Sequence, residues 1–387
     1  MDTKETRILI YSSDTDTTDA IFDLCELSRC NDLRLVSCRD IDSLNEQLDH
    51  YSISLVFFDL KSFPEIDQLN DIALRISPKP TLAIIPSLEQ NRLVKALRNG
   101  ADGVFSLDEM RCDALSLVES LDRQIDRAHT IEAARTLRDS LSKSLEELKA
   151  DQDAAAQIQQ RLLPPEHQSL DHGLSCHYIL RPSLLLSGDF VDTIQLNEGK
   201  HLFYLADVSG HGASSALVTV MLKNITNRLH RAYVKNDSDT LDNPAEFLAH
   251  VNREMLLTSF GKHMTMIVGV IDKEASQLTY SIGGHHPSPL LVQKGRASYI
   301  EGRGMPVGLF EEAFYEENRV TLDESFSICL FSDGILELLE GDNLNEKEQN
   351  LARLCQGQNL TPELLLKHVV GGETELPDDV AIMMVSR

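Results

Sequence analysis

Between Leu121 and Leu162 the chain contains no Gly and no Pro and is rich in Ala, Leu, Glu, Gln, Lys and Arg. These are good helix formers, so the stretch predicts one long helix between two differently patterned flanks. Ala134, Leu141, Leu148, Ala155 and Leu162 recur every seven residues, and Leu137 and Ile158 add to the seam at d positions. Ser144 and Asp151 interrupt that seam, while Asp139 and Lys143 form a favourable i,i+4 pair. Two arrangements fit such a stripe: a parallel coiled coil pairing two protomers, or a single helix packing on its own domains. The first is preferred, because the a positions stay apolar through five heptads. Pro164 and Pro165 then stop the helix. The expected organisation is residues 1–120 as one domain, 121–163 as a helical coiled-coil linker and 164–387 as a second domain.

A length of 387 residues accommodates two domains and a connector. Hydrophobic residues make up 42% and charged residues 25%, the balance of a soluble globular protein. No apolar run approaches the roughly 18 residues that a membrane span needs. Met1 to Ser13 lacks the basic start and apolar core of a secretory signal, so a cytoplasmic protein with no membrane partner is expected. Lys and Arg number 36 against 61 Asp and Glu, a formal charge of −25. Such a chain repels a phosphate backbone, and nucleic acid is not an expected partner. The seven cysteines show neither a CxxC pair nor zinc spacing and read as reduced, mostly buried thiols.

Short apolar runs alternate with amphipathic stretches over the first domain. Strands are expected at Arg7–Ser12, Leu33–Ser37, Ser54–Phe58, Thr81–Ile85 and Gly103–Phe105, with helices such as Thr17–Arg29 and Asn91–Asn99 between them. Five βα units of this length predict a doubly wound, flavodoxin-like α/β sheet. Beyond the two prolines, strand patterns dominate: Leu202–Ala206, Met264–Ile271, Leu278–Ile282, Leu290–Gln293, Ile328–Phe331 and Val380–Val385. Ser214–Ala232 and Pro244–Leu257 read as helices, which gives a layered α+β domain.

Four acidic signatures punctuate the second domain: Ser187-Gly188-Asp189-Phe190, Ala206 to Gly212, Ser332-Asp333-Gly334 and Asp378-Asp379. Each aspartate adjoins an apolar run or a Gly, so each can project from a strand end into a shared cleft. Any one Asp-Gly is ordinarily a turn. Four in this order are a different matter, because carboxylates gathered in one cleft repel unless hard cations neutralise them, and oxygen ligands suit Mg²⁺ or Mn²⁺.

That order resembles the PPM (protein phosphatase 2C) family, in particular its bacterial branch in partner-switching control of sigma factors. The family's GGDF(Y)D is similar to Ser187–Asp192, GDVSGHG to Ala206–Gly212, and NAGHPP to Gly283-Gly284-His285-His286-Pro287. GxPLG resembles Gly304–Gly308, YTDG resembles Phe331–Gly334, DD(I/V) matches Asp378-Asp379-Val380, and IQxxLLP is present as Ile158–Pro164. The resemblance covers about residues 155–387, and no substitution within it removes a metal-ligating aspartate. It implies a PPM layered sandwich with the activity of a metal-dependent serine/threonine protein phosphatase. It implies further that Asp189, Asp207, Asp333 and Asp378 hold two Mn²⁺ or Mg²⁺ ions, with Asp207 bridging and the Val208 carbonyl contributing. Asp189 and Asp207 are then the catalytic residues. A water shared by two metals is acidified and aimed at phosphorus. His211 reads as structural rather than as the proton donor, and His285 and His286 read as turn residues without chemistry.

The N-terminal domain resembles a two-component receiver. The segment Ser54–Asp67 looks like the strand that carries the phospho-acceptor, which places Asp59 in that role, and Ala96–Phe105 resembles the later AGADxYL segment. The departures are Ser12 and Ser13 where receivers carry acidic Mg²⁺ ligands, Ser106 or Leu107 where they carry Lys, and Ile85 or Pro86 in place of Thr or Ser. Without those partners an acyl phosphate is poorly stabilised, so a degenerate receiver that regulates without phosphorylation is expected. The combination resembles the response-regulator phosphatases of stress-response sigma-factor control, of the RssB-like kind. It implies a phosphorylated anti-sigma-factor antagonist as substrate, a sensor kinase or adaptor at the N-terminal domain, and a homodimer. The alternative is a non-catalytic adaptor that binds a sigma factor or its antagonist.

Overall fold

The computed structural model describes residues 6–62, 67–87, 89–258, 261–274, 276–356, 360–371 and 376–387. The chain divides into two compact units, Met1–Glu146 and Glu147–Arg387.

In the first unit, β1 (Thr6–Tyr11), α1 (Thr15–Glu26), β2 (Leu33–Cys38), α2 (Ile41–His50), β3 (Leu55–Asp59), α3 (Asp67–Ile76), β4 (Thr81–Ile85), α4 (Gln90–Arg98), β5 (Gly103–Ser106) and α5 (Leu107–Cys112) follow in turn. All strand pairings are parallel and the order is β2-β1-β3-β4-β5, the flavodoxin-like arrangement. Parallel sheets of this kind are covered on both faces, and their strands are apolar throughout rather than alternating. That is seen in β3 and β4, where every residue is buried. Leu9, Val56, Phe58 and Ala83 face α2, α3 and α4 through Leu44, Ile72 and Ala96. Ile8, Ile10, Phe57 and Ile84 face the other way, against Ile21 and Leu24 of α1 and Met110 of α5.

The next helix, α6 (Ala114–Leu162), is continuous for 49 residues. It starts ahead of the expected Leu121 because Val118, Leu121 and Ile125 pack into the core on the α1 face of the sheet. Leu137, Leu141, Leu148 and Ile158 are each more than half exposed.

The second unit adds β6 (His167–Ser169), β7 (Ser175–Arg181), β8 (Asp189–Asn197), β9 (Lys200–Val208), α7 (Ala213–Val234), α8 (Pro244–Thr258), β10 (Met264–Asp272) and β11 (Gln277–Gly283). Then come β12 (Leu290–Gln293), β13 (Arg296–Tyr299), β14 (Asn318–Thr321), β15 (Phe326–Phe331), α9 (Gly334–Leu338), α10 (Leu344–Cys355), α11 (Pro362–Val370) and β16 (Val380–Ser386). Two antiparallel sheets result, β14-β11-β10-β9-β8 and β13-β12-β15-β16-β7-β6. Their inner faces bury Val191, Phe203, Leu205 and Ile267 against Tyr178, Ile328, Leu330 and Met383. The opposite face of the first sheet carries α7 and α8 over Phe190, Tyr204 and Met266, and the second sheet carries α9, α10 and α11 over Phe331, Ile382 and Met384. The result is a four-layer α-β-β-α sandwich. No helix among the described residues is long and apolar enough to cross a membrane.

Candidate active site

Asp189 opens β8 and faces Asp207 directly across the β8–β9 pairing, and Asp207 faces Thr265 across the β9–β10 pairing. Residues directly opposite in adjacent strands share a face, so Asp189, Asp207 and Thr265 form a row along one end of the sheet. From the second sheet, Asp333 stands just beyond β15 at the start of α9, and Asp378 just before β16. These residues line one cavity of about 290 Å³ together with Val208, Ser209, Gly210, His211, His263 and Asp379. The structure therefore gathers all five sequence-derived positions of this domain, Asp189, Asp207, Val208, Asp333 and Asp378, at one place.

The loop before β8 is held from two sides. Asp379 is buried, and its Oδ1 accepts from Ser183 N (2.7 Å) and Ser183 Oγ (2.8 Å). Its Oδ2 accepts from Gly188 N (2.7 Å) and Ser187 Oγ (3.1 Å). Across the loop, the buried Gln159 of α6 donates through Nε2 to the Ser187 carbonyl (2.7 Å) and accepts from Ser187 N at Oε1 (3.2 Å). Gly188 is required here by space: a Cβ would stand 2.9 Å from the Val208 carbonyl oxygen and 3.2 Å from that of Gly210. The paired aspartates at the chain's end thus divide their work, with Asp378 lining the cleft while Asp379 fastens the loop that delivers Asp189.

Burial and mutual repulsion both push these carboxyls toward their neutral forms. Asp189 lies well above the ordinary carboxylate range, first because it is buried, then because of Asp207, Asp379 and Asp333. Asp207 is pushed up to about 7 by burial and by Asp333, Asp378 and Asp379. Asp333 is raised by burial and by Asp378. Asp189 Oδ2 is a buried acceptor with no hydrogen-bond partner. An all-oxygen donor set, a frustrated cluster of carboxylates and an orphaned carboxylate oxygen fit a hard divalent cation. Among the described residues no three acidic, His or Cys side chains close into a single cation cage. Mg²⁺-type sites rarely need one, since such ions keep several waters and take only one or two carboxylates each.

Other motif residues fall outside this cluster. Asp192 is buried away from the cleft, bound to Lys223 Nζ at 2.7 and 2.8 Å and to the Tyr204 hydroxyl at 3.2 Å. His211 is exposed at the cleft rim. His285, expected to shape a turn, turns its side chain inward: it is buried, with Nδ1 2.9 Å from Thr265 Oγ1 and Nε2 2.8 Å from the Phe331 carbonyl. The sequence alone assigns no role to Thr265 or His263, and marks Gln159 only as the Gln of the IQxxLLP-like segment. Thr265 carried one usable signal, a polar residue flanked by Met264 and Met266 at the start of a buried strand.

In the first unit, Asp59 ends β3 and is 2% exposed. Its Oδ2 accepts from Ser12 Oγ (2.8 Å) and Ser62 Oγ (2.7 Å), and its Oδ1 accepts from Lys61 N (2.9 Å). Lys61 Nζ reaches Asp14 at 3.0 Å, and that pairing holds the Asp14 carboxyl below its usual range. Asp16 pairs with Arg111. Of the Ser54–Asp67 segment, residues 63–66 lie outside the described residues.

A family model described as Stage II sporulation protein E (SpoIIE) matches residues 197–387. The chain carries a SpoIIE/PP2C-type phosphatase domain over these residues. The SpoIIE-type domain is accordingly a serine/threonine phosphatase domain, and the chain extends it toward the N-terminus by β8 with Asp189. Phosphoserine phosphatase RsbU of Bacillus subtilis (strain 168) is 28% identical over 252 residues, 62% of this chain and 71% of that protein. Phosphoserine phosphatase RsbP of the same strain is 26% identical over 158 residues, 39% of this chain but only 37% of RsbP. Among solved structures, the SiaA-PP2C domain of Pseudomonas aeruginosa superposes with a TM-score of 0.51 at 19% identity, over 62% of this chain and 97% of that domain. That likeness establishes a PP2C-like α+β fold for the second unit.

Proposed function

We propose that this chain is a cytoplasmic, metal-dependent phosphoserine and phosphothreonine protein phosphatase. Its substrate on this reading is the phosphorylated antagonist of an anti-sigma factor, and its N-terminal receiver-like domain controls the activity. The observation that carries the reading is the convergence of Asp189, Asp207, Asp333 and Asp378 on one cavity, with Asp189 Oδ2 left without a partner. Asp189, Asp207, Asp333, Asp378 and the Val208 carbonyl are the groups that would hold two Mn²⁺ or Mg²⁺ ions. Bound there, such ions supply charge neutralisation and a water acidic enough to ionise near neutral pH.

The chain's own residues orient and exclude. Asp379 and Gln159 fix the loop that presents Asp189, and Gly188 lets the Val208 carbonyl approach it. The cavity is only partly enclosed and most of its lining residues are polar, which suits a phosphorylated side chain presented from the surface of a protein. The substrate class follows the relatives: RsbU and RsbP are named phosphoserine phosphatases. The exposed seam on α6 supports pairing of two protomers, and the parallel β2-β1-β3-β4-β5 sheet with Asp59 at a strand end supports the receiver-like reading.

The test is phosphate release from p-nitrophenyl phosphate and from a phosphoserine protein, with Mn²⁺, with Mg²⁺ and with EDTA. Metal-dependent release from both supports the proposal. A protein that releases none with either metal is not a phosphatase of this kind.

A further inference from the structure

Thr265 occupies a position in the cleft that no metal-ligand role explains. It lies directly across from Asp207 in the row that begins with Asp189, it lines the cavity, and its Oγ1 is 2.9 Å from Nδ1 of His285. His285 in turn places Nε2 2.8 Å from the Phe331 carbonyl. Gly284, immediately before it, bridges to Met266, immediately after Thr265, so the backbone brings the two residues into register.

The chemistry of these atoms sets the direction of both hydrogen bonds. A carbonyl oxygen only accepts, so Nε2 of His285 must carry the hydrogen that faces Phe331. In the neutral ring Nδ1 is then an acceptor, and the Thr265 hydroxyl must donate to it. The ring is neutral because burial holds its pKa down at about 4. With its one hydrogen committed to His285, the Thr265 oxygen can only accept from whatever sits in the cleft. An oxygen of that kind repels the anionic oxygens of a phosphoryl group and attracts an O–H donor.

Building on the phosphatase reading, we propose that Thr265 is a further residue of the reaction, one that orients the attacking water, and that His285 is its positioning residue. The water donates one hydrogen bond to Thr265 Oγ1, which turns a lone pair of the water oxygen toward phosphorus. No proton passes through Thr265 or His285. Hydrolysis balances as usual: the water oxygen bonds to phosphorus, the ester P–O bond breaks, the serine or threonine oxygen leaves with a proton equivalent to one of the water's two, and the other ends on the phosphate or in solvent. The Phe331 carbonyl, just ahead of Ser332 and Asp333, ties this arrangement to the strand end that carries Asp333.

The experiment compares Thr265→Val, which keeps the shape and removes the hydroxyl, with Thr265→Ser, which keeps the hydroxyl and removes the methyl. Steady-state kinetics with a phosphoserine protein and Mn²⁺ should show kcat falling about 10- to 100-fold in Thr265→Val with KM little changed, the loss expected when the group that orients the attacking water disappears. Thr265→Ser should return kcat to within about threefold of the unmodified protein. The second readout is independent of turnover: ¹H–¹⁵N spectra of the metal-free protein should show His285 as the Nε2–H tautomer, with the Nδ1 resonance moving in Thr265→Val. Unchanged kcat in Thr265→Val, equal losses in the Val and Ser variants, or a Nδ1–H tautomer would each overturn the inference while leaving the phosphatase reading intact. An unmodified protein that releases no phosphate overturns that reading instead, and the inference with it.

Discussion

Gln159 grips both backbone groups of Ser187, donating to its carbonyl at 2.7 Å and accepting its N–H at 3.2 Å, and the same Nε2 donates to Thr219 Oγ1 of α7 at 2.9 Å. The last turns of the long helix are therefore hydrogen-bonded to the loop that delivers Asp189, two residues on. A buried amide with three partners is costly to remove, since each partner left unsatisfied costs about 1–3 kcal/mol.

Gln159→Leu should accordingly lower kcat by at least about tenfold while leaving the sandwich folded, because the change misplaces a loop rather than emptying a core. Phosphate release measured alongside a thermal melt separates these outcomes. A folded variant with full activity would show that the clasp is dispensable for presenting Asp189.

The carboxylate cluster makes a prediction about stability as well as rate. Asp207 is raised to about 7 in the folded chain against an ordinary value near 3.8. Below the unfolded value both states hold the proton, and the folded state keeps it longer as pH rises. The metal-free protein therefore loses stability from this group as pH climbs through the folded value, and the loss is complete above about pH 7. In EDTA at about pH 8, Asp207→Asn should melt higher than the unmodified protein, since it removes a buried charge that has no counter-ion. Mn²⁺ should reverse that ranking. The same variant should lose at least about 100-fold in turnover. Equal melting points in EDTA would argue that the cluster is not electrostatically strained.

These two sites also show what a sequence can and cannot announce. Asp189, Asp207, Asp333 and Asp378 were legible because each carboxylate interrupts or borders an apolar run, and their order along the chain is itself informative. The parallel sheet of the first unit was legible because Leu55–Phe58 and Thr81–Ile85 are apolar without alternation. By contrast, β7 and β8 are not legible: Ser175, His177, Asp189 and Asp192 break their apolar pattern, and Ser175 and Asp192 meet Ser386 and Lys223, which are far away in sequence. The short helix α9 was equally hidden, five residues being too few for a periodic signal. Gln159 belongs to the IQxxLLP-like segment, yet its role is not legible there, because its partners Ser187 and Thr219 are brought near only by the folded chain. His285 was masked by the turn-like His286-Pro287 that follows it.

The exposed stripe on α6 yields a prediction about assembly. Leu137, Leu141, Leu148 and Ile158 remain more than half exposed in the single chain, although isolated apolar stripes at this spacing gain stability by pairing. Leu141→Lys combined with Leu148→Lys places like charges in the seam and should shift a dimer to a monomer. Light scattering at micromolar concentration gives the mass of both proteins directly. A monomeric mass for the unmodified protein would remove the coiled coil from consideration.

The last prediction concerns Asp59. Phosphorylation of a receiver aspartate requires a carboxylate that is reachable and flanked by a cation site. Here the carboxylate is 2% exposed and already accepts from Ser12, Ser62 and the Lys61 N–H. Ser12 and Ser13 stand where acidic residues would bind Mg²⁺, and the nearby Asp14 is engaged by Lys61. A phosphoryl group on Asp59 would have to displace both hydroxyl donors, and the nearby Lys61 ammonium is already engaged by Asp14. A modification shifts a conformational equilibrium only by its differential interaction with the two states, and these contacts offer it little. Asp59→Asn, which preserves shape and keeps one oxygen to accept from the Lys61 N–H while its amide faces hydroxyls that can turn to accept, should therefore leave phosphatase activity within about twofold. Incubation of the unmodified protein with acetyl phosphate and Mg²⁺ should give no mass gain of one phosphoryl group. Stoichiometric labelling of Asp59 accompanied by a change in activity would instead establish an ordinary phosphorylation switch, with Ser12 and Ser62 releasing the carboxylate on demand.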